Sequence, residues 1–175
     1  MTFSELVMKR QSCRVFARKP LEREKLVACL EAARLAPSAN NAQPWRFVAV
    51  DDPDIKRSMA DALSFNRFAL DAGALVVVVE NQRSLSAKAA GAVKDNKYAP
   101  MDIGMAVENF CLAAAEQGLG TCILGWFDED IFKKRLGIPD SKRVRLVVAV
   151  GYPKSDEIRP KNRRPFDEIV SFNKY

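Results

Sequence analysis

The sequence predicts an α+β domain, and three observations carry that reading. Apolar residues recur at helical spacing at Leu26, Leu30 and Ala33, and again at Ile103, Val107, Phe110 and Ala114. Between these helices lie short aliphatic runs, most clearly Leu75-Val76-Val77-Val78-Val79, whose valine content suits a strand buried on both faces. The third observation is size: 175 residues fit one domain with a sizeable core.

The elements follow in order. Thr2 with Glu5 three residues later forms a capping box, so the first helix starts there and runs to about Arg10. A second helix spans roughly Glu22 to Leu35 and stops before Pro37, which disfavours helical geometry at Ala36. The strand Phe47 to Val50 ends at the turn Asp51-Asp52-Pro53-Asp54, a third helix reaches about Leu63, and Phe65 to Ala72 is also expected to be helical. After the valine strand, Asn81 to Pro100 has no clear period and is expected to be mobile. A long core helix then starts near Asp102 and ends at Gly118 and Gly120. Thr121 to Trp126 is the next strand, Asp128 caps a short helix closed by Gly137 and Pro139, and Val144 to Val150 is the last strand. A polar tail, Lys154 to Tyr175, finishes in Ile169-Val170-Ser171-Phe172, an apolar end that must pack on something. No linker divides the chain, so residues 1–175 read as one domain with 154–175 as its C-terminal tail.

Composition removes several functions. The net charge of +6 invites a nucleic-acid reading, yet acidic residues alternate with basic ones through Leu21 to Glu31 and Asp128 to Arg135, as on a solvated helix face. Local basic excess occurs only at Lys9 to Lys19 and Lys154 to Arg164, without interleaved aromatics, which suits a single phosphate group better than a duplex. No apolar run approaches the roughly 20 residues of a membrane span, and the first residues lack a signal-peptide layout, so a cytoplasmic protein is expected. With no histidine and no Cys-x-x-Cys among Cys13, Cys29, Cys111 and Cys122, neither a metal site nor a disulfide framework is expected.

Three separated segments carry chemistry. Arg10, Ser12 and Arg14 alternate with Gln11 and Cys13, so an extended backbone puts two guanidiniums and a hydroxyl on one face, a set able to hold phosphate or simply to form a solvated basic loop. The string Ala36-Pro37-Ser38-Ala39-Asn40-Asn41-Ala42-Gln43-Pro44-Trp45 joins a helix to a strand with turn residues, although an ordinary capped turn would use the same types. Lys161-Asn162-Arg163-Arg164-Pro165 closes the list, and a basic tail is usually just solvated.

Taken together and in this order, the three segments resemble the FMN-dependent nitroreductase family. The resemblance implies a central, mostly antiparallel sheet flanked by helices, in a homodimer with FMN at the interface. It further implies that Arg10, Ser12 and Arg14 hold the FMN phosphate, with Lys161 and Arg163 returning to it and Arg164 as the alternative register. Pro37, Ser38, Ala39 and Asn41 would reach the flavin of the other subunit, while Trp45 stays in the core. Leu124 and Gly125, at a strand end, would offer a backbone N–H to the ring, and Asn66 and Arg67 are weaker contacts to its edge. The implied activity is NAD(P)H-dependent oxidoreduction in ping-pong order, from NADH or NADPH through FMN to a nitroaromatic, a quinone or a related small-molecule acceptor, with no catalytic side chain. Flavin storage or redox sensing without rapid turnover, and specialised reductases such as flavin reductases or dehalogenases, are the alternatives. Residues 154–175 would pack on the dimer partner.

Overall fold

The computed structural model describes residues 1–81 and 98–175. Helix α1 (Phe3–Lys9) carries the expected capping box, with the Thr2 side chain accepting from Glu5 N–H and the Glu5 carboxylate accepting from Thr2 N–H at 2.7 Å. Helix α2 (Arg23–Arg34) buries Leu26, Cys29 and Ala33. The strands are β1 (Trp45–Val50), β2 (Ala74–Glu80), β3 (Gly120–Leu124) and β4 (Arg143–Gly151), and the remaining helices are α3 (Pro53–Ser58), α4 (Tyr98–Glu116) and α5 (Glu129–Leu136). The sheet order is β1-β2-β4-β3, and all three pairings are antiparallel.

The valine run is explained by its place in this sheet. Strand β2 lies between β1 and β4, and its alternate residues enter two separate cores. Ala74, Val76 and Val78 face α2 and α4, where they meet Leu26, Cys29, Ile103, Val107 and Phe110. Leu75, Val77 and Val79 face the opposite way, toward Met59, Leu63, Phe132 and Phe16. A strand with both faces covered has no solvent side on which to place polar residues, so the pattern is continuous rather than alternating.

Four boundaries differ from expectation, the first being α4, which starts at Tyr98, four residues before Asp102. The third helix ends at Ser58, and the stretch to Ala72 contains two 3₁₀ turns, Asp61–Leu63 and Arg67–Asp71. Bonds of the i→i+3 kind, such as Ala62 N–H to Met59 C=O, replace α-helical ones, which tightens the chain into short pieces. Strand β1 starts at Trp45, earlier than Phe47, and Trp45 itself is half-buried against the α2–α4 side. Strand β3 ends at Leu124 because its last pairing is with Val147; Trp126 then points into solvent. The expectation for Asn81 to Pro100 falls mostly on residues 82–97, outside the described residues.

One buried cation fixes the entry to β2. Lys56 is buried on α3, and its Nζ donates to the carbonyls of Ala72 at 2.5 Å and Gly73 at 3.1 Å. Burial pushes its pKa below the ordinary lysine range, and the two carbonyls satisfy the ammonium in place of water.

Candidate active site

Residues 10–15 leave α1 in extended form, with Arg10 at φ −60°, ψ 123°, and lie beside the free edge of β3. Ser12 forms a parallel bridge with Thr121, and Cys13 N–H donates to Thr121 C=O at 2.7 Å. The approach is close because β3 begins with glycine: a Cβ on Gly120 would stand 2.7 Å from Cys13 Cβ. The other side of the segment is covered by the start of the C-terminal tail. Lys154 N–H donates to Val15 C=O at 3.1 Å, and Gln11 Nε2 donates to Glu157 C=O at 2.7 Å. Arg159 donates from its backbone N–H to Gln11 Oε1 at 3.2 Å and from Nη2 to Ser12 C=O at 2.5 Å, and Lys161 Nζ donates to Arg10 C=O.

Between these strands of chain lies a groove of about 830 Å³, lined among others by Arg10, Ser12, Arg14, Gly120, Thr121 and Arg159. That volume is in the range of cofactor sites. Its electrostatics are unbalanced. Burial first, and then the positive charges of Arg10, Arg163 and Arg159, lower the Lys161 pKa, with Glu108 the one opposing charge that acts on it. Glu108 also faces Arg10, Nε to Oε1 at 3.5 Å. Four cations held this near one another favour an incoming dianion, whose charge would offset their mutual repulsion. A phosphate monoester fits the donor set of guanidiniums, an ammonium and a hydroxyl.

Arg10, Ser12 and Arg14 thus line one groove, Lys161 bonds the Arg10 carbonyl beside it, and Arg163 lies near enough to affect Lys161 while its Nη1 donates to Asn162 C=O at 3.0 Å. Leu124, the last residue of β3, and Gly125 just beyond it sit three and four residues from the groove-lining Thr121, about 10–13 Å at the rise of a strand. Gly125 opens on free space, since an added Cβ there would meet nothing within 4 Å. Asn66 Nδ2 donates to Trp126 C=O at 2.8 Å and ties the 3₁₀ segment to the exit of β3, where Phe65 and Trp126 form an exposed edge-to-face pair.

The segment holding Pro37, Ser38, Ala39 and Asn41 lies elsewhere. Residues 39–41 form a 3₁₀ turn in which Asn40 has φ 52°; Asn41 and Gln43 are also left-handed, at 51° and 45°. Ser38 Oγ accepts from Gln43 N–H at 3.0 Å, and Gln43 Nε2 donates to Asn41 Oδ1 at 3.0 Å. Ala39 N–H donates to both carboxylate oxygens of Asp102, at 3.2 and 3.3 Å. Asp102 belongs to the N-terminal part of α4, whereas Ala115, which lines the groove, is near its C-terminal end. At about 1.5 Å per residue the two points are roughly 20 Å apart along the helix. Glu108, which faces Arg10, lies only about 9 Å from Asp102 on the same scale, and no residue of the turn lines the groove.

Sequence reasoning missed Gln11, Arg159, Thr121 and Asp102. Arg159 was hidden in a tail that composition reads as solvated, and Asp102 looked like the start of a helix. Thr121 matters through its backbone, which no side-chain pattern reports. The thiols stay protonated at neutral pH: burial raises the pKa of Cys13 and Cys122, and pushes Cys29 and Cys111 up to about 11. Among the described residues no group of three or more His, Cys, Asp or Glu side chains could hold a metal ion, and no helix is long and apolar enough to cross a membrane.

The family model described as "Nitroreductase family" matches residues 7–66 and 62–152, which hold the whole sheet and the groove walls other than the tail. This chain belongs to the nitroreductase family. Among its relatives, an Archaeoglobus fulgidus protein whose name links it with NADH dehydrogenase and NAD(P)H nitroreductase is 32% identical over 161 residues, covering 87% of this chain and 86% of the relative. An oxygen-insensitive NADPH nitroreductase of Helicobacter acinonychis is 25% identical over 203 residues, covering 96% and 95%. A nitroreductase family protein from Clostridium novyi, solved by crystallography, is 29% identical with a TM-score of 0.79, covering 91% of this chain and 89% of that one. A protein of Exiguobacterium sibiricum solved in complex with FMN superposes with a TM-score of 0.85 over 99% of this chain and 98% of that one; at 21% identity it bears on the nitroreductase fold alone. The antiparallel sheet with flanking helices is therefore the nitroreductase fold, and the relatives' names mark the chain as an oxidoreductase.

Proposed function

We propose that this protein is an FMN-dependent NAD(P)H oxidoreductase. The observation that carries the reading is the groove beside β3, where Arg10, Ser12, Arg14 and Arg159 collect positive charge and donors around a space of cofactor size, with Lys161 bonded to the Arg10 carbonyl. In this reading Arg10, Ser12, Arg14, Lys161 and Arg163 hold the FMN phosphate. Leu124 and Gly125 present backbone to the ring, where the missing side chain of Gly125 lets a flat ring come close. Bound FMN supplies two-electron chemistry, accepting hydride from NADH or NADPH and passing it to a nitroaromatic, quinone or related acceptor in ping-pong order. The protein's own part is binding, orientation and exclusion of water. Protonated thiols and the lack of histidine fit a site that assigns no acid–base side chain.

That no residue of the Pro37–Asn41 turn lines the groove supports a two-chain site, in which the turn of one subunit serves the flavin of the other. A surface suited to such pairing exists: Phe3, Val7, Met101, Met105 and Leu35 are exposed apolar side chains on or beside α1, α2 and α4. The outer tail, with Phe166, Ile169 and Phe172 exposed, is assigned to the partner as well. The enzyme is read as a cytoplasmic homodimer.

Anaerobic stopped-flow mixing of FMN-loaded protein with NADH or NADPH is the test. Bleaching of the visible flavin bands, followed by their return on adding a quinone or nitroaromatic, is the expected result. Bound FMN that neither donor reduces would leave a flavin-storage protein instead.

A further inference from the structure

Resting on the proposed FMN reading, we infer that Asp102 is a positioning residue: its buried carboxylate holds the Pro37–Asn41 turn in the form that meets the flavin. Its side chain is 4% exposed, and both its oxygens accept from a single backbone donor, Ala39 N–H. The turn needs such a hold. Three non-glycine residues within four positions, Asn40, Asn41 and Gln43, are left-handed, a conformation that costs of order 1–2 kcal/mol per residue. Their own bonds, Ser38 Oγ with Gln43 N–H and Gln43 Nε2 with Asn41, tie the turn to itself and not to the domain. Asp102 supplies the tie to α4, a helix anchored in the core through Ile103, Val107, Phe110 and Ala114. A charge-assisted bond from a rigid helix fixes both the place and the orientation of Ala39, and with it the neighbours Ser38 and Asn41.

The route of action is a specific N–H, and this permits a sharp test. Ala39→Pro removes that N–H while leaving the carboxylate, and Ser38, at φ −150°, ψ 153°, already has the extended backbone a residue before proline requires. FMN dissociation constants are measured by fluorescence quenching for the wild type, Asp102→Ala, Ala39→Pro and the double variant, each verified as folded by circular dichroism and melting. Wild-type FMN binding is the control for the underlying reading: its failure removes the cofactor assignment, not merely the role of Asp102. With that control in place, Asp102→Ala should weaken FMN at least tenfold in a protein of unchanged helical content. The double variant should be no weaker than the worse single one, because both remove the same contact. Asp102→Asn, which keeps an acceptor oxygen, should recover most of the affinity. Additive losses in the cycle, an Asp102→Asn as weak as Asp102→Ala, or a fall in melting temperature with unchanged affinity would each overturn the assignment.

Discussion

Arg14 is exposed and lines the groove without a carboxylate partner among the described residues, so its charge is available to a ligand. Hydrogen bonds to charged groups contribute roughly 1.5–3 kcal/mol each, which is a tenfold to hundredfold change in affinity. Arg14→Glu should weaken FMN by at least that much, whereas Lys134→Glu, the same charge reversal on the exposed side of α5, should leave it within twofold. Equal losses in flavin titrations would mean that only net charge matters. Lys161 gives the pH dependence. Its pKa is lowered by burial and then by Arg10, so the folded protein sheds this proton earlier than the unfolded chain. A bound phosphate dianion draws the proton back, and affinity must fall as pH rises through that lowered value. On the acid side, affinity falls below about pH 6, where a phosphate monoester takes its second proton. Dissociation constants measured across pH should trace a plateau with two limbs, and Lys161→Met should flatten only the alkaline one. The residue scale is also where the sequence was most legible for ligand chemistry and least for support. Arg10, Ser12 and Arg14 are visible as an alternating triplet, but Arg159 and Gln11, which lace the tail to that triplet, act through single long-range bonds that leave no periodic trace.

Among the elements, the starts of α1 and α5 and the buried strand were read correctly because their causes are local: a capping box at Thr2, a cap at Asp128, a valine run between two cores. The end of β3 and the breaks after Ser58 were not, since they depend on where the partner strand stops and on which carbonyls remain free. Lys56 makes the same point, since no local pattern marks it as the lysine that closes two carbonyls at the mouth of β2. The edge of β3 is the element on which the groove depends. Gly120 allows residues 12–14 to lie against it, and a methyl group there would stand 2.7 Å from Cys13 Cβ and 2.9 Å from its Sγ. Gly120→Ala should therefore cost about 1–3 kcal/mol of stability, as overpacking does, and should also weaken FMN by displacing the Ser12 backbone. Thermal melting with and without FMN checks both parts: a variant that melts and binds like the wild type would show that the segment can retreat from β3 at no expense to the site.

The whole molecule poses the question that no single chain answers. Its Pro37–Asn41 turn and its basic groove share no lining residue, and its tail divides into an inner half laced to residues 10–15 and an outer half, from Phe166 onward, that keeps apolar side chains in solvent. The family resemblance made both features expected from sequence, whereas composition alone gave only a basic, α+β chain. The proposed two-fold pair would resolve them together: the turn of one chain would reach the groove of the other, and apolar faces on α1 and α4 would become interface.

Sedimentation velocity of the FMN-titrated protein, recorded in the visible flavin band, tests this account most directly because it reads cofactor and assembly in one boundary. The account predicts that the colour travels with a dimer at micromolar concentration, one FMN per chain, and that no coloured monomer appears. A boundary without colour after FMN addition would contradict the cofactor assignment, and a coloured monomer would contradict the shared site.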